Sequence, residues 1–395
     1  MALIKLNSNS FSNWTTAIPD DSVTTAKIAD DSIQSLKNRN LIINGAMQVA
    51  QRGTSSSVSD NSNEGYQTID RWRLDFGNNA NGACTISQDT TVPSNQGFSF
   101  SYKVDVTTAN ASPGTTEQVY FANKIEAQDI RNSGWDYTKS DGSAYITCSF
   151  WVMSDKAGVY CFYARDHDAN GGTMYFVKEF TLVASAWQKI EIQIPSSSSL
   201  VFNNDTGSGL EVGCSLLAGS DRNNATNNTW NTADSSRATA NQVNFFDSTS
   251  NNFYLTGVQL EVGDVATPFE HESFGQTLAK CQRYYTKSYD YEDSPGTNTE
   301  TGVVYFRGSS ADSITNRTVN VSFPVDMRTN PTCTAYSISG TSGAISDCAV
   351  SYSEVSAITG SSIGGTTGKR GLSRVTSGTS VNSMIALHFV ADAEL

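Results

Sequence analysis

Charged side chains are scarce in this 395-residue chain, at 16% of all residues, against roughly 25% in an ordinary globular domain. Basic residues are the scarcer kind, because 26 lysines and arginines face 39 aspartates and glutamates, which leaves a net charge of −13. Binding to nucleic acid is driven by basic groups that neutralise phosphates. The charge balance therefore argues against nucleic acid as a partner.

Long apolar runs are missing as well. No stretch approaches the roughly 18 apolar residues that a membrane-spanning helix requires, so we expect no membrane insertion. The first residues, MALIKLNSNSF, have neither the apolar core nor the small-residue cleavage site of a secretory signal peptide. Export through a signal peptide is therefore not expected.

Cysteine is present, but in an odd number and without a CxxC motif. Such a scattered set is not typical of a disulfide framework or a zinc site. Cys214, for example, has the parity of Leu210, Val212 and Leu216, as expected for one face of a strand. We therefore predict buried free thiols at positions 84, 148, 161, 214, 281, 333 and 348.

The chain is rich in sequence that favours β-structure. Aromatic residues make up 10% of it, and short alternating segments separated by turn signals fill residues 40–262, a pattern typical of a β-sandwich. We predict strands at 98–106, 145–153, 159–165, 174–182, 187–194, 210–217 and 253–262. The second and third should form a hairpin around the sequence SDKAG at 154–158.

Two apolar patterns of opposite parity meet near the end of this region. Phe253 and Leu255 alternate with polar residues on one parity, and Val258 and Leu260 do so on the other. A one-residue insertion into a strand produces such a change of face. We therefore predict a β-bulge at Gly257.

A short amphipathic helix is predicted next. Ser273 is followed three residues later by Gln276, which is the capping-box pattern of a helix start. Apolar residues then follow at helical spacing. The predicted stripe comprises Phe274, Leu278, Cys281 and Tyr285.

Three motifs give the chain a family resemblance. They are NLIINGAMQVAQRG at 40–53, TIDRW at 68–72, and ANQVNFFDSTSNNFYLTGVQLEVGDVATPFEHESFGQTLAKCQRYY at 240–285. Together they resemble the shared core of many bacteriophage tail-fibre and receptor-binding proteins. This resemblance implies a role in the virion tail, with synthesis in the bacterial cytoplasm. It supplies neither a sugar specificity nor a catalytic residue.

The order of the predicted strands is similar to that of jelly-roll carbohydrate-binding modules. On this analogy, we expect an all-β protein with a jelly-roll β-sandwich body at 40–270 and a smaller C-terminal β-sandwich at 300–395. A neck helix and linker at 271–299 should join the two. Residues 1–39 should form an extended N-terminal segment.

The N-terminal segment contains two similar units, IPDDSV and IADDSI. Each offers too little apolar surface to fold alone, so we expect several chains to share a core there. Its apolar positions are Ile18, Val23, Ile28 and Ile33. Together with the helix stripe, they predict a homotrimer, and the family resemblance implies that this end attaches to a tail or hub protein.

The predicted C-terminal unit has strands at 332–338, 348–352, 371–376 and 384–390, with His388 as a structural residue. Long Gly/Ser/Thr loops at 339–344 and 358–370 lie between them. Exposed loops on a rigid sheet often carry recognition. We therefore expect this unit to contact the host.

Motifs for metal binding or catalysis are incomplete. The sequence DHDANG at 166–171 begins like a calcium loop, but its twelfth position is Val177 rather than an acid, and a hairpin turn is the better interpretation. We expect no metal, no cofactor and no enzyme activity. A polysaccharide depolymerase remains an alternative, because sequence alone cannot reveal a catalytic carboxylate pair.

Sugar binding needs an aromatic ring that stacks on a pyranose, surrounded by amides and hydroxyls. Trp230 lies in the amide-rich sequence NNTWNT, and Tyr336 and Tyr352 lie in or near polar segments. A positive cluster could meet acidic groups of a bacterial envelope. It comprises Lys369, Arg370 and Arg374.

We therefore expect a non-catalytic virion fibre that adheres to bacterial surface polysaccharide. A purely structural tail adaptor remains a second alternative.

Overall fold

A computed structural model describes residues 39–59, 63–78, 80–172, 174–232, 237–307, 316–348, 352–363, 367–377 and 384–395. The predictions for the N-terminal segment lie outside the described residues. They concern Ile18, Val23, Ile28 and Ile33.

The body contains strands that alternate between core and outer positions, and one short helix, α1 (Ala127–Arg131). The strands are β1 (Ser55–Ser59), β2 (Trp72–Gly77), β3 (Ala83–Asp89), β4 (Ser101–Thr108), β5 (Gln118–Glu126), β6 (Tyr145–Ser154), β7 (Gly158–Asp166), β8 (Met174–Leu182), β9 (Gln188–Pro195), β10 (Ser208–Ala218), β11 (Thr229–Asn231) and β12 (Asn252–Val262). Short 3₁₀ turns occur at Ala169–Gly171 and Phe245–Asp247.

These strands form two antiparallel sheets that pack face to face. Sheet A has the order β1-β3-β4-β12-β6-β9, and sheet B has the order β11-β8-β7-β10-β5-β2. One apolar core fills the space between them, with large rings such as Trp72, Phe121, Phe150 and Phe253. Each such ring stabilises the fold by about 1.5–3 kcal/mol on burial. The prediction of an all-β protein with a jelly-roll body is confirmed.

The predicted hairpin between β6 and β7 is wrong. β6 pairs with β12 and β9 in sheet A, whereas β7 pairs with β8 and β10 in sheet B. The link 155–157 therefore carries the chain across the sandwich. The Tyr160 hydroxyl holds this crossing, at 2.9 Å from Ser154 Oγ and 2.9 Å from the carbonyl oxygen of Lys156. A short polar link followed by a glycine is compatible with either connection, and only the sheet pairing distinguishes them.

β7 and β8 do form a hairpin, and its turn contains the DHDANG sequence. Asp166 supports this turn, because its carboxylate accepts hydrogen bonds from the backbone N–H groups of Asp168, Ala169 and Val201 at 2.8, 3.0 and 2.8 Å. The interpretation as a hairpin turn is confirmed.

The bulge predicted in β12 is present. The pairing register with β6 shifts between Thr256 and Gln259, and Gly257 has a φ of +62°. A Cβ at Gly257 would lie 2.5 Å from the ring of Phe98. Glycine is therefore required both for the backbone conformation and for the space.

The helix α2 (Phe274–Gln282) begins with the predicted capping box between Ser273 and Gln276. It ends before Tyr285, which lies instead in a short strand, β13 (Tyr285–Lys287). β13 pairs with the last strand of the chain. The neck is therefore built into the C-terminal sheet.

The C-terminal unit consists of two small sheets around a core of its own. Its remaining strands are β14 (Val304–Arg307), β15 (Asn316–Ser322), β16 (Thr332–Tyr336), β17 (Ala344–Cys348), β18 (Glu354–Thr359), β19 (Ser362–Ile363), β20 (Gly371–Thr376) and β21 (Met384–Asp392). β21 is central and pairs with β13, β14, β16 and β17.

One prediction for this unit is wrong in detail, because the region 358–370, expected to be loop, contains the end of β18 and all of β19. These strands were not predicted because the region is rich in Ser, Thr and Gly, which are also common in turns. Of the strand expected at 348–352, Cys348 lies in β17, and residues 349–351 lie outside the described residues.

Candidate functional site

A polar cleft of about 370 Å³ lies at one edge of the sandwich, where β9 of sheet A approaches β8 and β11 of sheet B. We call it the edge cleft. Its lining residues are Tyr145, Thr147, Lys178, Glu191, Gln193, Pro195, Asn228, Asp264 and Ala266.

Strand register assembles one wall of the edge cleft. Ile146 on β6 and Ile192 and Ile194 on β9 face the core, so the alternate residues of both strands face outward. Pairing places Thr147 beside Gln193. This wall brings together a ring, a hydroxyl, an amide and a carboxylate.

The loop at 263–266 forms the end of the cleft and is tied to this wall. Thr147 donates its hydroxyl to the carbonyl oxygen of Gly263 at 2.7 Å. The side-chain amide of Gln193 donates to the carbonyl oxygen of Asp264. These bonds fix the loop that presents the Asp264 carboxylate.

The opposite wall comes from sheet B. Lys178 on β8 and Asn228 before β11 lie side by side there, because the backbone N–H of Asn228 bonds to the carbonyl oxygen of Val177 at 2.6 Å. Asn228 has a φ of +59°, a conformation that asparagine tolerates better than most residues.

Trp230 supports the cleft from behind. Its ring contacts Phe176 at 5.7 Å between centroids, and its indole N–H donates to the carbonyl oxygen of Pro195 at 2.8 Å. This bond joins β11, the edge strand of sheet B, to β9, the edge strand of sheet A. The ring is half-buried, so Trp230 positions the cleft walls instead of offering a free stacking face.

The charges of the edge cleft are only partly neutralised within the chain. Glu191 pairs with Lys189 at 2.8 Å. Among the described residues, the Lys178 ammonium and the Asp264 carboxylate have no hydrogen-bond partner. The site thus combines a free cation, a free anion, amides and a tyrosine ring.

Such a set matches the hydrogen-bonding needs of a sugar, whose hydroxyls both donate and accept. The tyrosine ring of Tyr145 adds an apolar surface for the face of a pyranose. The volume of about 370 Å³ lies within the range of roughly 300–1,000 Å³ typical of small-molecule sites.

A larger cavity of about 750 Å³ lies beside α1 and α2. Arg283 lines it and forms two hydrogen bonds to the Glu126 carboxylate, at 2.7 and 2.8 Å, while Tyr284 donates a third at 2.7 Å. Burial opposes ionisation of Glu126, but these donors outweigh it and lower its pKa. Lys280, Arg283 and Tyr284 of the neck line this cavity together with Arg39 and Asn40, so it lies where the neck packs against the body.

The predicted helix stripe is divided by the fold. Phe274 is 44% exposed and Leu278 is half-buried, whereas Cys281 and Tyr285 are buried within the chain. The Arg52 guanidinium lies over the Tyr285 ring at 3.7 Å from its centroid. Phe274 and Leu278 are therefore the stripe residues that remain accessible, although the Phe274 ring also meets the Tyr291 ring edge-on at 5.1 Å.

The seven cysteines are free thiols, as predicted, and all but the half-buried Cys333 are buried.

The C-terminal aromatic candidates pack on neighbouring rings. Tyr336 meets Tyr289 edge-on at 6.1 Å, and Tyr289 stacks on His388 at 3.8 Å. The His388 ring is also bonded to Ser288 Oγ at 3.1 Å and to the carbonyl oxygen of Thr299 at 3.0 Å. The structural role predicted for His388 is confirmed.

Tyr352 is the most exposed of the aromatic candidates. It is 52% exposed, and its ring contacts Tyr305 edge-on at 5.2 Å. It lies just before β18, on a different strand connection from Tyr336.

The three cationic candidates lie at the start of β20 and are exposed. Arg370 pairs with Asp326 at 3.1 Å, but both side chains are more than half exposed, and such pairs contribute little stability. Lys369, just before β20, and Arg374, on β20, thus belong with the sheet β15-β20-β19, whereas Tyr336 lies on β16 of the other sheet and Tyr352 lies just before β18.

Most residues of the edge cleft were not predicted from the sequence. Asn228 lies in the NNTWNT loop that was singled out, but Tyr145, Lys178, Gln193 and Asp264 were not recognised. These residues come together only because β6 pairs with β9 and because the β9 edge of sheet A lies against the β8–β11 edge of sheet B. The parity of Tyr145 and Gln193 relative to the core residues could have placed them on an outer face.

Three solved structures illustrate what the chain is similar to. The tailspike protein 4 enzymatically active domain of bacteriophage CBA120 is 10% identical, covers 57% of this chain and 22% of its own, with a TM-score of 0.28. The family 11 carbohydrate-binding module of a Clostridium thermocellum cellulosomal cellulase is 14% identical, covering 53% and 97%, with a TM-score of 0.26. A tandem family 22 module from Paenibacillus barcinonensis is 17% identical, covering 49% and 46%, also at 0.26.

At such TM-scores these likenesses carry no argument about function. No protein-family model matches the chain, and no curated protein does. In the described part of the chain, the helices are too short and too polar to cross a bilayer.

Proposed function

We propose that this protein is a non-catalytic tail-fibre component of a bacteriophage virion that binds bacterial surface glycan in the edge cleft of its body. The observation that carries the glycan role is the convergence of Tyr145, Lys178, Gln193, Asn228 and Asp264 on one cleft of sugar size. Support for the fibre role comes from the resemblance of the three sequence motifs to phage tail fibres.

The same proposal assigns the N-terminal segment to attachment on a tail or hub protein, and the assembled fibre to a homotrimer. The exposed Phe274 ring on α2 supplies apolar surface for a contact between chains. Light scattering of the purified full chain tests this part, with a mass of three chains expected and a monomer at micromolar concentration contradicting it.

A depolymerase is the second candidate, because Glu191 and Asp264 line the same cleft and glycoside hydrolysis uses two carboxylates. We favour binding without cleavage, since Glu191 is engaged by Lys189 at 2.8 Å. Incubation of the protein with its glycan, followed by chromatography of the products, separates the two functions. Shortened oligosaccharides would support the depolymerase.

A glycan array tests the binding function. The full chain should bind a defined set of bacterial glycans, and Lys178→Met should lose binding because it removes the free ammonium of the cleft. Lys139→Met is a matched control, since Lys139 is exposed and its nearest acid, Asp141, is 4.0 Å away. Equal binding by both variants and the unaltered protein would contradict the proposed site.

A further inference from the structure

The outer face of sheet B, on the side away from the core, carries a group of cations. Register places Arg165, Glu211 and Lys124 in one row across β7, β10 and β5, and Arg73 on β2 beside the next row. Strands are about 4.8 Å apart, so the backbone of Lys124 lies within about 10 Å of that of Arg73 on one side and of Arg165 on the other. We call these three residues the basic strip.

The acids on this face are already engaged by other donors. Asp75 forms a two-point ion pair with Arg73, at 2.7 Å between Nε and one carboxylate oxygen and shorter at the second contact. Glu211 accepts hydrogen bonds from the Tyr163 hydroxyl at 2.8 Å and shares one with His167 at 3.1 Å.

A fourth cation is inserted between rings on the same face. Arg237 lies 3.9 Å from the centroid of Tyr120 and 5.2 Å from that of Tyr163, and it approaches Glu211 at 3.6 Å. Glu179 lies on the same face through its pairing with Cys161 and accepts a hydrogen bond from Thr239 Oγ1 at 2.5 Å. Counting Arg73, Lys124, Arg165 and Arg237 against Asp75, Glu179 and Glu211, these rows carry one excess positive charge. The chain as a whole is acidic, at −13.

Lys124 is the side chain of the strip without a fixed partner. It is half-buried, and its ammonium forms no hydrogen bond or ion pair among the described residues. Arg165, by contrast, donates from Nε to the carbonyl oxygen of Gly172 at 2.8 Å. Burial lowers the pKa of Lys124, and the neighbouring Arg73 guanidinium lowers it further.

From this geometry, we infer that the basic strip is a second binding site, specific for negatively charged sugar units of a polysaccharide. A carboxylate or phosphate beside Lys124 would receive charge-assisted hydrogen bonds and would relieve the repulsion that Arg73 and Arg165 exert on Lys124. The inference rests on the proposed role in glycan binding. The basic strip lies on β2, β5 and β7, away from the edge cleft. It also takes a negatively charged ligand, whereas the edge cleft does not require one.

Titration calorimetry on the full chain tests the inference with three probes: trigalacturonate, a short poly(glycerol phosphate) and neutral galactotriose. Lys124→Gln removes the free charge and keeps most of the side chain. Lys103→Gln is the control, because Lys103 is also half-buried but lies on β4 in sheet A beside Asp105, at 3.5 Å. Melting curves of both variants verify that they fold.

We expect at least one acidic probe to bind, and the probe that binds tells carboxylate from phosphate. Its affinity should fall about tenfold or more in Lys124→Gln, as for loss of a hydrogen bond to a charged group, and should stay within about twofold in Lys103→Gln. Absence of binding by both acidic probes, or equal losses in the two variants, would overturn the inference. If a neutral glycan no longer binds Lys178→Met but still binds Lys124→Gln, the result bears on the edge cleft and not on the basic strip.

Discussion

Arg71 of the body and Glu394 near the end of the chain form an ion pair across the junction of the two units, with side chains only 1% and 6% exposed. The guanidinium of Arg71 also lies 3.5 Å from the centroid of the Tyr284 ring and donates to the carbonyl oxygen of Lys124. Arg52 contributes a second link, to Asp392 at 3.1 Å. The two units are therefore joined by buried charge.

Removing one partner of this pair should be strongly destabilising. Glu394→Gln leaves the Arg71 cation buried without its counter-charge, which typically costs about 3–5 kcal/mol. Chemical denaturation of the full chain measures this loss. Glu292→Gln, at an exposed position of the linker, should change the free energy of unfolding by less than about 0.5 kcal/mol. Similar values for the two variants would contradict the junction described here.

Asp70 at the same junction should make stability depend on pH. Burial raises its pKa to about 6, although Arg52 and a hydrogen bond from Gln51 act in the opposite direction. The folded state therefore holds this proton at pH values where the unfolded state has released it. The stability contribution of Asp70 should fall as pH rises between about 4 and 6.

Comparison with Asp70→Asn isolates that contribution. The free energy of unfolding of the unaltered protein minus that of the variant should decrease across this pH interval, because only the unaltered protein must ionise a buried carboxyl. Denaturation curves at several pH values provide the measurement. A difference that rises or stays constant with pH would show that Asp70 is ionised throughout.

Gly257 and Gly275 offer a matched pair of glycine substitutions. Gly257→Ala should destabilise the body by about 1–3 kcal/mol, because it combines a positive φ with a Cβ 2.5 Å from the Phe98 ring. Gly275→Ala should stabilise α2 by about 0.5–1 kcal/mol, since no atom lies within 4 Å of the added Cβ and alanine favours helix. Thermal melting in parallel checks both signs, and a neutral Gly257→Ala would disprove the bulge.

Local features of the fold could be predicted from sequence. The bulge at Gly257 followed from a change of parity, the start of α2 from Ser273 and Gln276, and the role of His388 from its apolar strand. Each depends on residues close together in the chain, where the spacing alone determines which face a side chain occupies.

Features that depend on distant pairing could not be predicted. Arg71 and Glu394 are 323 residues apart, and nothing in either neighbourhood indicates the other. The hairpin between β6 and β7 was wrongly predicted for the same reason. The sheet to which each strand belongs depends on partner strands that are distant in the sequence. Trp230 was found by its amide-rich surroundings, yet its indole N–H is used by Pro195, a contact that only the meeting of two sheet edges creates.

The most direct test of glycan binding in the edge cleft uses the glycan selected on the array. Its affinity is measured by titration into the unaltered full chain and into two variants, Tyr145→Ala and Tyr352→Ala. Tyr145 lines the cleft and Tyr352 is the most exposed aromatic candidate of the C-terminal unit. The account predicts a loss of affinity of about tenfold or more for Tyr145→Ala and an unchanged affinity for Tyr352→Ala. Loss of binding in Tyr352→Ala with full binding in Tyr145→Ala would contradict it and would place recognition in the C-terminal unit.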